Sequence, residues 1–191
     1  MDGVEMAEAT SRQIGESRSA SADGRPAIGG AFLAFYAAVV VVQGVHVVEH
    51  IIQLIQVYVL GIPDDEALGL LGYVFAFQGT EEWLHIAFNG LYLACLVIIA
   101  SRVLFAPVVP LLARMAFLFF AVWLEGWHVI EHVVIISNVV ANNGCPCPGI
   151  LDSRLGVSDT VLHFGFNAIA YTATVLPFVY LLRHARSAKP Q

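Results

Sequence analysis

The chain has 191 residues, 58% of them hydrophobic and only 13% charged, with a net charge of -6 and a mean hydropathy of +0.75. A water-soluble domain uses roughly 25% charged residues, so this composition excludes that class and puts the chain in a bilayer. Much of the negative charge lies in the N-terminal stretch and in one short acidic loop, and nothing in it supports binding to nucleic acid.

Residues 1–29, rich in Ser, Ala, Gly and Glu and without apolar periodicity, read as a disordered cytoplasmic tail. A cleaved signal peptide is not expected, because the first apolar run starts late, is long and has no close-following small-residue cleavage site. Four apolar stretches come next, at about 30–60, 68–101, 111–141 and 159–183. Each exceeds the ~20 residues that a helix needs to cross the hydrocarbon core.

The first stretch contains Gln43, Gly44 and the phrase His46-Val47-Val48-Glu49-His50. The loop at 61–67 carries Asp64, Asp65 and Glu66, expected to be a solvated turn that could attract cations. In the second stretch Gly69, Gly72 and Gly79 interrupt the apolar run, so 68–79 reads either as the end of the span or as a separate short interfacial helix. After it come Glu81 and Leu84-His85-Ile86-Ala87-Phe88-Asn89, and Cys95 lies further along the same span. Pro107-Val108-Val109-Pro110 is the join to the third stretch, which holds Glu125, Gly126 and His128-Val129-Ile130-Glu131-His132.

The loop at 142–158 holds Cys145-Pro146-Cys147, which fits a strained disulfide, a soft-metal ligand pair or two free thiols. The fourth stretch opens with Asp159 and Leu162-His163-Phe164-Gly165-Phe166-Asn167. Trp83, Trp123 and Trp127 read as packing or interface anchors, and Gly44 and Gly126 as points of close helix approach. His184, beside Arg183 and Arg186, reads as a membrane-surface residue.

Two phrases thus occur twice. A shift of 82 residues lays Gly44, His46, Glu49 and His50 on Gly126, His128, Glu131 and His132, and a shift of 78 lays Glu81, His85 and Asn89 on Asp159, His163 and Asn167. An internal repeat of this kind predicts the architecture. The expected fold is an all-α integral membrane protein, a four-helix transmembrane bundle of two tandem helical hairpins, 30–106 and 107–187, related by a pseudo-two-fold axis along the membrane normal. Of the nine Lys and Arg only Arg154 falls in the 61–67 or 142–158 loops, so the positive-inside rule puts both termini in the cytoplasm and those loops outside, in the plasma membrane.

Helical residues three and four apart share a face. Gln43, His46, Glu49 and His50 form one polar patch, and Glu125, His128, Glu131 and His132 another; Glu81, His85 and Asn89, and Asp159, His163 and Asn167, make stripes on the other two helices. Lipid cannot satisfy such groups, and a charged side chain near the bilayer centre costs about 2.5 to 3.5 kcal/mol even on a mild scale, so the four stripes should face one another. From the lengths of the spans, the cluster should lie in the outer half of the membrane.

Several functions compete for this cluster. Hydrogen-bonded glue between helices would not need six histidines. A transition-metal centre, mononuclear or dinuclear, suits imidazole and carboxylate donors, with iron, zinc or copper as the ion. Its expected ligands are His46, His50, His85, His128, His132 and His163, with Glu49 and Glu131 bridging ions or orienting histidines and Gln43, Glu81, Asn89, Glu125, Asp159 and Asn167 as outer partners.

Haem between paired histidines is a third reading. Glu82-x-x-His85 has the spelling of di-iron bundles, but Thr160 stands at the matching position, which fails the symmetry test. H-x-x-E-H is also the inverzincin protease spelling, here without a third-ligand context, and the H-x-x-H-H boxes of membrane desaturases are missing from the sequence. The leading expectation is therefore a membrane metal-binding protein, an oxidoreductase if a substrate route exists. Its rivals are a metal-ion transport or handling protein, a haem-binding protein, and a non-catalytic subunit of a membrane complex, with a homo-oligomer as a further expected partner.

Overall fold

A computed structural model of the chain describes residues 29–75, 82–142 and 149–187. Among them no strand occurs, and four helices are long and apolar enough to cross a membrane: α1 (Gly30–Tyr58), α3 (Glu82–Val103), α4 (Leu111–Ala141) and α6 (Asp159–Ser187). At 1.5 Å per residue the shortest, 22 residues long, spans about 33 Å, more than the hydrocarbon core. Two short helices, α2 (Leu71–Phe75) and α5 (Ile150–Leu155), lie in the connections at the end of the bundle nearest the histidines.

The pattern of burial is the reverse of a water-soluble protein. On α1 the buried residues include Gln43, His46, Glu49, His50, Gln53 and Gln56, while Val41, Val45, Val48, Ile51 and Ile55 are exposed. Spacing of three and four from Tyr36 through Val39, Gln43, His46, His50 to Gln53 keeps these side chains on one stripe. An apolar exterior on this scale is a liability in water and a fit in lipid.

In α4 the buried positions Ala113, Phe117, Ala121 and Glu125 are four apart, then His128, His132 and Ile135 return to spacings of three and four. A strict four-residue spacing drifts around a regular α-helix, and the drift is taken up by a π-helical stretch at Phe117–Trp123, whose wider turns hold the stripe on one face.

α1 packs most broadly on α6 and α3 on α4, with α4 also against α6; α1 and α3, neighbours in the chain, touch far less. In the half away from the histidines, Tyr36, Leu96, Ile99, Val103, Phe117 and Leu181 are fully buried and close the bundle with an apolar core. The Tyr36 hydroxyl donates to the Thr174 carbonyl at 2.7 Å, and the Tyr92 and Thr174 hydroxyls lie 2.7 Å apart, so the tyrosines of this core are satisfied.

The described helix of the second stretch runs Glu82–Val103, and within 68–75 the chain turns before a short helix begins. Gly69 turns with φ +66°, a conformation that favours glycine, and Gln56 fixes it by accepting from its N–H at 2.8 Å and donating to its carbonyl at 3.5 Å. After that turn α2 begins at Leu71.

Candidate metal centre

All four long helices contribute to one buried polar cluster. His46 and His50 sit one turn apart on α1, and His85 reaches them from α3; His128 and His132 sit one turn apart on α4, and His163 reaches them from α6. In each triad one ligand-capable atom from every histidine lies within 4.8 Å of the others, and all six residues are buried. The Nε2 atoms of His46 and His50 are 2.9 Å apart and those of His128 and His132 3.1 Å apart, so each i, i+4 pair turns the same ring nitrogen inward.

A third group joins the triads. Glu82, His85 and His132 also offer atoms within 4.8 Å of one another, and the His85 and His132 ring centroids are 5.3 Å apart. Glu82 is thus brought into the centre despite having no counterpart at Thr160. The hydroxyl of Thr160 instead donates to Asp64 at 2.6 Å. The E-x-x-H spacing was the one sequence signal for Glu82, and the comparison with Thr160 hid it.

The outward ring nitrogens are held unequally. His132 Nδ1 lies 2.8 Å from a Glu82 oxygen, His163 Nδ1 3.0 Å from Asp159, and His128 Nδ1 3.4 Å from Glu125. On the other triad, His50 Nδ1 meets the amide oxygen of Gln53 at 2.6 Å, while His46 Nδ1 and His85 Nδ1 meet no partner among the described residues. An acceptor at Nδ1 fixes the proton there and frees Nε2 as a ligand lone pair.

Glu49 and Glu131, expected to bridge ions or orient histidines, point elsewhere. Glu49 accepts the Leu71 N–H at 2.5 Å, at the start of α2. Glu131 accepts the Ile150 N–H at 2.9 Å and also the Leu151 N–H, at the start of α5. Free amides at a helix start attract a carboxylate, and neither glutamate belongs to a group of converging ligand atoms.

One turn deeper lies a layer of fully buried Gln43, Asn89, Glu125 and Asn167, one from each long helix. Gln43 donates to Asn167 at 2.7 Å, and Asn167 donates to the His163 carbonyl at 3.0 Å, which ties α1 to α6 beneath the histidines. Glu81, Cys145 and Cys147 lie outside the described residues.

Three quieter expectations have definite outcomes. A Cβ on Gly44 would meet the Tyr171 hydroxyl at 3.1 Å, a close approach of α1 and α6, whereas one on Gly126 meets nothing within 4 Å. The close-approach reading therefore fails at Gly126, which faces a shallow apolar groove with Trp123 and Trp127. His184 is exposed near the end of α6. The acidic loop is more than a solvated turn, since Asp64 also accepts the Asp159 N–H at 3.2 Å and so caps α6.

Comparison of the chain with known protein families, with curated proteins and with solved structures found no match.

Proposed function

We propose that the chain is an integral membrane metalloprotein whose bundle interior holds a centre of one or two transition-metal ions, and that this centre is redox-active. The observation that carries the reading is the pair of buried histidine triads with mutually close ligand atoms, joined through Glu82. The ligands are His46, His50 and His85, and their repeat counterparts His128, His132 and His163. Imidazole donors backed by carboxylates suit iron or copper as the redox ion, and bundle interiors house dinuclear sites of this kind.

Three protein donors per triad fall short of the four of a closed structural site, as in centres that keep a position for a reacting ligand. Histidine rings stacked at centroid distances of 4.6 to 6.2 Å offer no slot for a macrocycle, which weighs against haem. The apolar core around Leu96, Ile99 and Phe117 blocks the far half, which favours a centre that holds its ion over a transport path.

The test is elemental analysis of the detergent-purified protein with an absorption spectrum. Stoichiometric iron or copper without a Soret band is the expected result, lost in His50→Ala with His132→Ala while the protein still inserts. Unchanged metal content in that double variant rejects the ligand assignment, and a protein that takes up no metal even on reconstitution rejects the function. A non-catalytic subunit with a hydrogen-bonded polar core would then be the reading left.

A further inference from the structure

We infer that the two triads are unequal: His128, His132 and His163 take the first, tightly held ion, and His46, His50 and His85 hold a weaker one that carries the binding position for a small exogenous ligand. The inference rests on the metal reading above and assigns the two halves of the centre different work.

The first difference is in the acceptors behind the ligands. All three histidines of the tight triad have a carboxylate at Nδ1, namely Glu82, Asp159 and Glu125. The weaker triad has the neutral amide of Gln53 behind His50, and Gln43, one turn before His46 where Glu125 stands before His128, donates away to Asn167. A carboxylate behind an imidazole raises its basicity and locks its orientation, and losing such a partner commonly costs 10- to 100-fold in metal affinity.

The second difference is access. A narrow crevice runs between α1, the segment before and within α2, and α3, with His46 and His85 at one side and Leu71, Gly72, Leu84 and Phe88 around the rest. Its free space of about 20 Å³ suits a single water-sized molecule, such as water, dioxygen or one end of a small anion. It opens on the weaker triad and includes no residue of the other. Glu49, holding the Leu71 amide, keeps the roof of this crevice in place.

Cobalt(II) titration of the metal-free, full-length protein in detergent tests this, with the visible absorption bands as readout and azide as the small ligand. The expected curve has two steps, the second at least tenfold weaker, and azide shifts the bands only after the second equivalent. Asp159→Asn or Glu125→Gln should weaken the first step by 10- to 100-fold and leave the second in place. Gln53→Glu, which gives His50 a carboxylate, should tighten the second step.

His46→Ala should remove the second step and the azide response, and Leu84→Trp, filling the crevice, should remove the azide response alone. Because Gln53→Glu predicts a gain, a variant that folds poorly cannot imitate it. Two steps of equal affinity, or an azide shift at the first equivalent, overturn the inference while sparing the metal reading. Absence of any cobalt binding overturns both.

Discussion

Glu49 and Glu131 stand one residue before His50 and His132, yet each carboxylate is spent on backbone amides that begin α2 and α5. Adjacent residues on a helix point about 100° apart, so a glutamate next to a ligand need not share its target. A hydrogen bond to a charged group contributes about 1.5 to 3 kcal/mol, and glutamine at these positions loses the charge and, at Glu131, one of the two accepting oxygens. Glu131→Gln and Glu49→Gln should therefore each destabilise by about 1 to 2 kcal/mol, seen as a lower unfolding midpoint, with metal content per protein unchanged. Loss of a stoichiometric ion in either variant would return these glutamates to the ligand set. Glu82→Gln gives the opposite pattern, since Glu82 backs His132 at 2.8 Å: lower metal affinity with a smaller effect on the unfolding midpoint.

At the level of the helix, spacing within one element was legible and contacts between elements were not. The intervals His46 to His50, His128 to His132, and His85 to Asn89 put each polar stripe on a single face, and burial follows those stripes. Glu82 was hidden because its reach to His132 depends on how α3 lies against α4, which no spacing along α3 contains. The turn at Gly69 was hidden for a similar reason, as Gln56 on α1 pins it from outside the segment. The π-helical stretch left only the run of fours at Ala113, Phe117, Ala121 and Glu125 as a sign. That run makes a prediction: deleting Phe119 turns the intervals into regular threes and fours, so the protein should fold with its metal content retained. Deleting Val129 and Ile130 together instead leaves His132 two positions after His128, about 200° around the helix, and should abolish metal binding. Elemental analysis of the two purified variants separates them, and equal metal content in both would show that the stripe in α4 does not set the site.

For the whole molecule, the polar cluster and the closed core divide the bundle into two unlike halves. Gln43, Asn89, Glu125 and Asn167 mark the boundary, beyond which, among the described residues, Tyr36, Leu96, Ile99, Val103, Phe117 and Leu181 leave no continuous polar route. Among the described residues the cover on the histidine side is thin: α2 and α5 are five and six residues long and are held down by single glutamates and by Gln56. Short, locally anchored segments open at far lower cost than a packed core, so exchange with solvent should run through this end alone. We propose, from the distribution of Arg and Lys, that this end faces away from the cytoplasm. A membrane-impermeant chelator should then strip the weaker ion quickly from cells or vesicles that expose the outer face, and much more slowly from inside-out vesicles of the same preparation. Faster loss from the inside-out vesicles would invert the topology. Equal rates on both sides would mean that the centre exchanges through the lipid-facing flanks of the helices, and the thin cover would not be its gate.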